Sequence, residues 1–446
     1  MLLDQEDLYG EQPPKVLRLT WEDFECHLSD ENDAALGRMA EWSVMAYLAA
    51  DCNLAKCLFD DLQELKSIGS NASMHVCALF DGPLLSDSFF ARLNSGNRLG
   101  EDIVLRFNEL KSSDPKVLTL GLRLASHFPA EQRVLFLGGH GDSWRGLLLD
   151  ENIGLQYREQ AGRLILPGPA AQCDARLVRC QQHVQNRLNE TSVPAGLSSK
   201  KTYDILALDA CYMGNLEVIA TLAGFADILV VSEDVAPGEG YSYDHVLSHL
   251  RGDPAQTPLD LARYLVNHGG GHTTQVALAC DRLPAFANAF VHLVQVLGSM
   301  LQSAAVFGAV RDALKTAHLF KATGTIDLKG FVMKLLEHPL PREVLQAGTD
   351  VLNRWSEMVL AAAVPGTADT ANGLSIYAPP PEGFDVAYLK CSNGLDLNLG
   401  IWSWFLAACY LHILGAESPG HPLLRAMQDT MEDLRRKGIC KPGQTN

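Results

Sequence analysis

A chain of 446 residues is too long for one ordinary core, which predicts two packed domains or one large domain with a substantial extension. Its hydrophobic fraction of 47% and charged fraction of 20% are ordinary for a globular protein and exclude global disorder. The net charge of −17 repels a phosphate backbone, which excludes nucleic acid as a general partner and favours encounter with basic substrates.

Residues 1–40 are polar and mixed and read as an N-terminal extension. The opening MLLDQEDLYGEQPP is acidic and lacks a basic stretch followed by an apolar one. No signal peptide is expected, so the thiols are expected to be reduced and the location cytoplasmic. The 11 cysteines include no repeated CxxC pair, and Cys52 with Cys57 has no second pair to complete a zinc site.

From Glu41 the texture changes. WSVMAYLAA (42–50) is a continuous apolar run, the pattern of a strand buried on both faces. Leu54, Leu58, Leu62 and Leu65 then form a helical stripe that ends before Gly69. MHVCALFDG (74–82) predicts a second strand, 88–106 a hairpin, and about 114–128 a helix. RVLFLGGHG (133–141) predicts a third strand, followed by a short outward piece, RGLLLDE (145–151). YDILALDAC (203–211) predicts a fourth strand leading into a helix near 214–224, and ADILVVSED (226–234) a fifth. Strands alternating with helices predict an α/β fold over 41–252, a mainly parallel sheet flanked by helices. Residues 253–446 read as a mostly helical C-terminal domain with strands in TTQVALACD (273–281) and NGLSIYAPP (372–380). The apolar stretches 283–311 and 401–416 carry His292, Gln295 and Gln302, and His412, respectively, and read as buried helices rather than membrane spans. Between the third and fourth strands lies a long linker, 152–202. Such insertions at the active end of a sheet are functional or disordered.

In parallel sheets, ligands and reactive groups gather at the carboxyl ends of the strands. His140, Asp209, Cys211 and Ser232–Glu233 all fall at such ends. A lone Cys there is more often a small buried hydrophobe, and a lone His-Gly more often a turn. Together they match what a thiol peptidase needs: a sulfur nucleophile, an imidazole, and donors for the oxyanion of a tetrahedral intermediate. Gly141 leaves its N–H accessible to a substrate oxygen. Cys211 sits where a strand turns towards a helix, whose positive end is expected to help the thiolate.

The order of these blocks resembles caspase-like cysteine peptidases of clan CD, and the clostripain family in particular. WSVMAYLAADCNL (42–54) resembles that family's first-strand block, LGGHGDSWRGLLLDE (137–151) its His block and YDILALDACYMGNLEV (203–218) its Cys block. SEDVAPGEGYSYD (232–244) and NGLSIYAPP resemble later blocks, with departures at Cys52 and Tyr241. The resemblance implies a caspase-like fold and cleavage of polypeptides after Arg or Lys. It implies His140 and Cys211 as catalytic dyad, and the N–H groups of Gly141 and Cys211 as oxyanion donors. Asp209 and Glu239 correspond to the acids of the pocket for the basic side chain. It further implies self-cleavage in the linker, with Arg158 and Arg163 nearest the His block. No cofactor is required. Calcium stimulation is implied by the resemblance alone, since no EF-hand-like loop is present.

Asp209 as a helix cap, Glu239 as loop surface, and Asp51 and Glu233 as structural carboxylates remain the plainer readings. Two other functions stay open: a catalytically silent or partner-regulated scaffold with a protein partner, and a metal hydrolase using His140 with Asp150, Asp209 or Glu233. No HExxH motif supports the latter, and no GxGxxG supports a nucleotide binder.

Overall fold

The structure, a computed structural model, describes residues 38–437 apart from 85–86, 97, 108–109, 113–114, 149–201, 271–273, 365–369, 393–394 and 396. The N-terminal extension to residue 37 and nearly all of the 152–202 linker therefore lie outside the described residues.

The apolar runs form strands β1 (Ala40–Ala49), β2 (Met74–Asp81), β3 (Ser88–Arg92), β4 (Ile103–Phe107), β5 (Ala130–Gly138), β6 (Tyr203–Asp209), β7 (Ala226–Ser232) and β8 (Gln275–Ala279). With β11 (Val359–Ala363) they make one nine-stranded sheet, ordered β11-β8-β7-β6-β5-β1-β2-β3-β4. Its centre, β2-β1-β5-β6-β7, is parallel, and both edges are finished by antiparallel strands. The sheet continues past residue 252: β8 and β11, from the half read as a mostly helical domain packed on the core, extend the same ladder.

Side chains alternate between two cores. On one face, Val44, Ala46 and Leu48 of β1 meet Leu58, Leu62 and Leu65 of α1 (Ala55–Ile68), together with α4 (Tyr243–Gly252) and α5 (Pro258–His268). On the other, Met45 and Tyr47 pack with α2 (Pro115–Ala125), α3 (Leu216–Leu222) and the C-terminal helices. Burial on both faces is why the strands read as unbroken apolar runs. The stretches 283–311 and 401–416 form α6 (Leu283–Ser299), α7 (Ala304–Thr316) and, beyond α8 (Leu328–Leu336) and α9 (Arg342–Met358), α10 (Gly400–Glu417). Among the described residues no helix is long and apolar enough to cross a membrane.

A small second sheet braces the turn after β6. It pairs β9 (Leu319–Phe320), β10 (Thr325–Asp327) and β12 (Ser375–Tyr377), the last inside the NGLSIYAPP block. Ser375 N–H donates to Gly214 O (2.8 Å), and Asn215 bridges Ser375. Buried Glu217 of α3 accepts from Tyr377 N–H (3.0 Å) and the Tyr388 hydroxyl (2.6 Å). The rings of Tyr377 and Tyr388 in turn hold Trp144 of the His block edge-on, each with centroids 5.1 Å from its own.

Burial raises the Glu217 carboxyl above its ordinary value, so a neutral acceptor suits the site. Glu217→Ala leaves a buried N–H and hydroxyl unpaired and is expected to cost about 3 kcal/mol. Glu217→Gln, which keeps the acceptor, is expected to cost less than about 1 kcal/mol. Urea denaturation of the two variants checks this, and equal losses would contradict it.

Candidate active site

The site lies at the carboxyl edge of β1, β5, β6 and β7, on both sides of the point where the strand order reverses between β1 and β5. Beyond β5 and β6 the ladder persists, with Gly139 N–H donating to Asp209 O (3.2 Å). Gly141 then packs directly on Cys211. A Cβ at Gly141 would stand 2.3 Å from the Cys211 carbonyl oxygen and 2.8 Å from Met213 Cε. Only a glycine fits there, and it brings the residue after His140 into contact with Cys211.

The His block folds back on itself as a tight hairpin. Leu148 N–H donates to His140 O (2.8 Å), Asp142 N–H to Gly146 O (2.9 Å), and Gly141 bridges Leu147. This pairing uses the amides around Gly141 and leaves its own N–H without a partner among the described residues. The Cys211 N–H donates to no carbonyl among them either, and faces its own Sγ. Both N–H groups expected as oxyanion donors are thus uncommitted to a carbonyl.

His140 Nε2 lies 2.6 Å from Asn53 Oδ1. An amide oxygen only accepts, so Nε2 is the donor of this hydrogen bond. Asn53 lies in the first-strand motif, where the sequence alone gives it no role. The available signal was its place just past β1, at the same sheet edge as His140.

Cys211 is half-buried, and its thiol reaches Ala236 O over 3.8 Å. Burial raises its pKa, and the Asp209 and Asp234 charges raise it further, so the resting group is a protonated thiol. The expected help from a helix dipole does not materialise: α3 starts only at Leu216, and Asn215 caps it by accepting from Val218 N–H (3.0 Å). Tyr212, next to Cys211, adopts a left-handed φ of 60°, a conformation costing about 1–2 kcal/mol for such a residue. It is held by Tyr212 N–H to Asp234 O (3.1 Å) and Asn215 Nδ2 to Tyr212 O (2.8 Å).

Asp209 is buried and does not cap α3. Its Oδ2 accepts from Tyr241 N–H (3.1 Å) and the Tyr243 hydroxyl (3.0 Å), both from the GEGY turn. Gly240 makes that approach possible: its φ is 58°, and a Cβ there would lie 2.4 Å from Asp209 Oδ2. Glu239 stands exposed at the tip of the same turn. Glu233 is fully buried and accepts from Gly373 N–H, and burial, then the nearby Asp327, raises its pKa well above the usual range. It ties β7 to the C-terminal half. Asp51 is buried at the end of β1. Arg158, Arg163 and Asp150 lie outside the described residues. Among those described, no group of three His, Cys, Asp or Glu side chains could hold a metal ion.

Because the Asp234 charge raises the Cys211 pKa, Asp234→Asn should lower it and increase the thiolate fraction at neutral pH. Alkylation by iodoacetamide at pH 7 should then run about three-fold faster than in the parent. An unchanged or slower rate would contradict the electrostatic assignment.

The sequence model of the Clostripain family matches residues 46–162 and 170–302. Clostripain of Hathewaya histolytica is 27% identical over 238 residues, covering 47% of this chain and 42% of that protein, so the match spans less than half of that relative. A secreted cysteine protease of Bacteroides thetaiotaomicron, solved in complex with an irreversible peptide inhibitor, superposes with a TM-score of 0.54 at 16% identity, covering 82% of this chain and 100% of that one. An inactive zymogen protease of Parabacteroides distasonis gives 0.51 at 16% identity, covering 81% and 98%. At such identities the likeness to the solved structures is one of fold.

Proposed function

Because the chain belongs to the clostripain family, we propose that it is a cysteine peptidase that cleaves polypeptides after Arg or Lys, with Cys211 as nucleophile and His140 as its acid/base partner. The observation that carries this reading is the contact of Gly141 with the Cys211 carbonyl, which joins the imidazole-bearing turn to the thiol-bearing one.

In the mechanism, the Cys211 thiol gives its proton to the His140 imidazole as sulfur attacks the carbonyl carbon. A thiol with a raised pKa needs this base at the moment of attack, rather than a standing ion pair. The developing oxyanion is received by the Gly141 and Cys211 N–H groups. Asn53 holds the Nε2–H and so supports the imidazolium that forms. His140 then protonates the leaving amine, and water, deprotonated by the same imidazole, hydrolyses the thioester. Asp209, held by the neutral donors Tyr241 N–H and Tyr243 hydroxyl, supplies negative charge for the basic side chain. The reaction needs no cofactor, and the calcium stimulation implied by the family is tested by adding a chelator to the assay.

A fluorogenic panel varying the residue before the cut tests the reading. Arg and Lys reporters should be cleaved, and Cys211→Ala or His140→Ala should lower kcat/KM at least about a thousand-fold with the fold intact. Undiminished turnover by Cys211→Ala would rule the mechanism out. A folded parent inert on the whole panel would favour the scaffold role. Self-cleavage at Arg158 or Arg163 predicts two fragments by mass spectrometry in the active parent and one intact chain in Cys211→Ala.

A further inference from the structure

We propose that Asp61 of α1 is a second carboxyl group of the pocket that takes the substrate's Arg or Lys side chain, facing that side chain from across Asp209. This rests on the proposed cleavage after basic residues and names one more residue that would determine it.

Asp61 occupies the inward stripe of α1 with Leu58, Leu62 and Leu65, a position where an apolar side chain would be expected. It is 3% exposed. No hydrogen bond or ion pair satisfies it among the described residues. Asp209, by contrast, is held by Tyr241 and Tyr243. The same helix borders the GEGY turn, where a Cβ at Gly238 would lie 3.8 Å from Cys57 Sγ. It also carries Glu64, which accepts from Tyr243 N–H (2.8 Å). Two buried carboxyls, one anchored and one unpartnered, therefore flank the turn beside Cys211. A buried carboxyl without a partner is a cost to the fold, and an arriving cation removes it.

The groups acting on Asp61 are all acidic. Burial raises its pKa to about 9, with the charge of Asp209 next, then Glu64 and Asp60 of its own helix. From α4 the facing groups are the Tyr243 hydroxyl, and Asp244 and His245, which act on Glu64. Asp61 is therefore a neutral acid at pH 7 in the empty enzyme. When a guanidinium or ammonium enters, Asp61 ionises, one proton goes to solvent, and the incoming charge replaces it. The folded chain holds a proton on Asp61 that the unfolded chain, with an ordinary value of 3.8, has released. Stability therefore falls as pH rises from 3.8 towards about 9, while affinity for a basic side chain rises over the upper part of that window.

The test uses the full chain. Isothermal titration of a short peptide ending in Arg into Cys211→Ala protein at pH 7.5, in two buffers of different ionisation enthalpy, should show about one proton released per peptide bound. Adding Asp61→Asn should abolish that release and weaken binding about ten-fold. In the otherwise active enzyme, Asp61→Asn should raise KM for Arg and Lys reporters by a similar factor with little change in kcat. It should also flatten the fall of KM between pH 7 and 9. Its melting temperature should rise, because a buried acid has been replaced by an amide, and this also shows that the variant is folded. A parent that cuts basic reporters while Asp61→Asn changes neither KM nor proton release overturns this inference alone. A parent that neither binds the Arg peptide nor cuts Arg or Lys reporters overturns it together with the reading beneath it.

Discussion

The site depends on one close approach, that of the Gly141 α-carbon to the carbonyl oxygen of Cys211. Two neighbouring parallel strands, β5 and β6, end level with each other, and their turns can touch only if one of them carries no side chain at the contact. Once they touch, His140 and Cys211 share an edge, and two amide N–H groups are left outside the ladder. The surrounding structure holds that arrangement in place. The hairpin from His140 to Leu148 fixes one turn, and hydrogen bonds to the end of β7 and to β12 fix the other, strained at Tyr212. The C-terminal half is a buttress to the site as well as a neighbour, through Trp144 between Tyr377 and Tyr388 and through Glu217.

Electrostatics set the working state. Cys211 rests as a thiol because it is half-buried near carboxylates, so the proposed reaction would draw on the imidazole rather than on a preformed thiolate. Asn53 accepts from the His140 ring at Nε2 and so fixes its orientation. Acidic groups are concentrated on the α1 side of the sheet, where burial and then the charge of Asp209 raise the Asp61 carboxyl pKa to about 9.

Much of this was legible in the sequence. Strands buried on both faces appear as unbroken apolar runs, so β1, β2, β5, β6 and β7 could be placed, and with them the strand ends bearing His140, Asp209 and Cys211. Pairing between distant segments was not legible. Nothing local in VLAAA (359–363) says that it joins β8 at the edge of the main sheet, and the apolar QVALA (275–279) fits any sheet. The helix after Cys211 was legible, but its first turn was not, and a shift to Leu216 removes the dipole argument. Asp61 was hidden because an acid in a helix beside Asp60 reads as solvated surface, and only packing against α4 shows which of the two faces inward.

In the proposed mechanism these two turns build one reaction centre. A crystal structure of the chain inactivated by a peptidyl-arginine acyloxymethyl ketone tests it most directly. The expected adduct is a thioether to Cys211 Sγ, with the ketone oxygen within hydrogen-bonding distance of Gly141 N–H and the His140 imidazole beside the sulfur. An adduct on another cysteine, or one on Cys211 with His140 turned away and Gly141 N–H out of reach of the inhibitor, would contradict it.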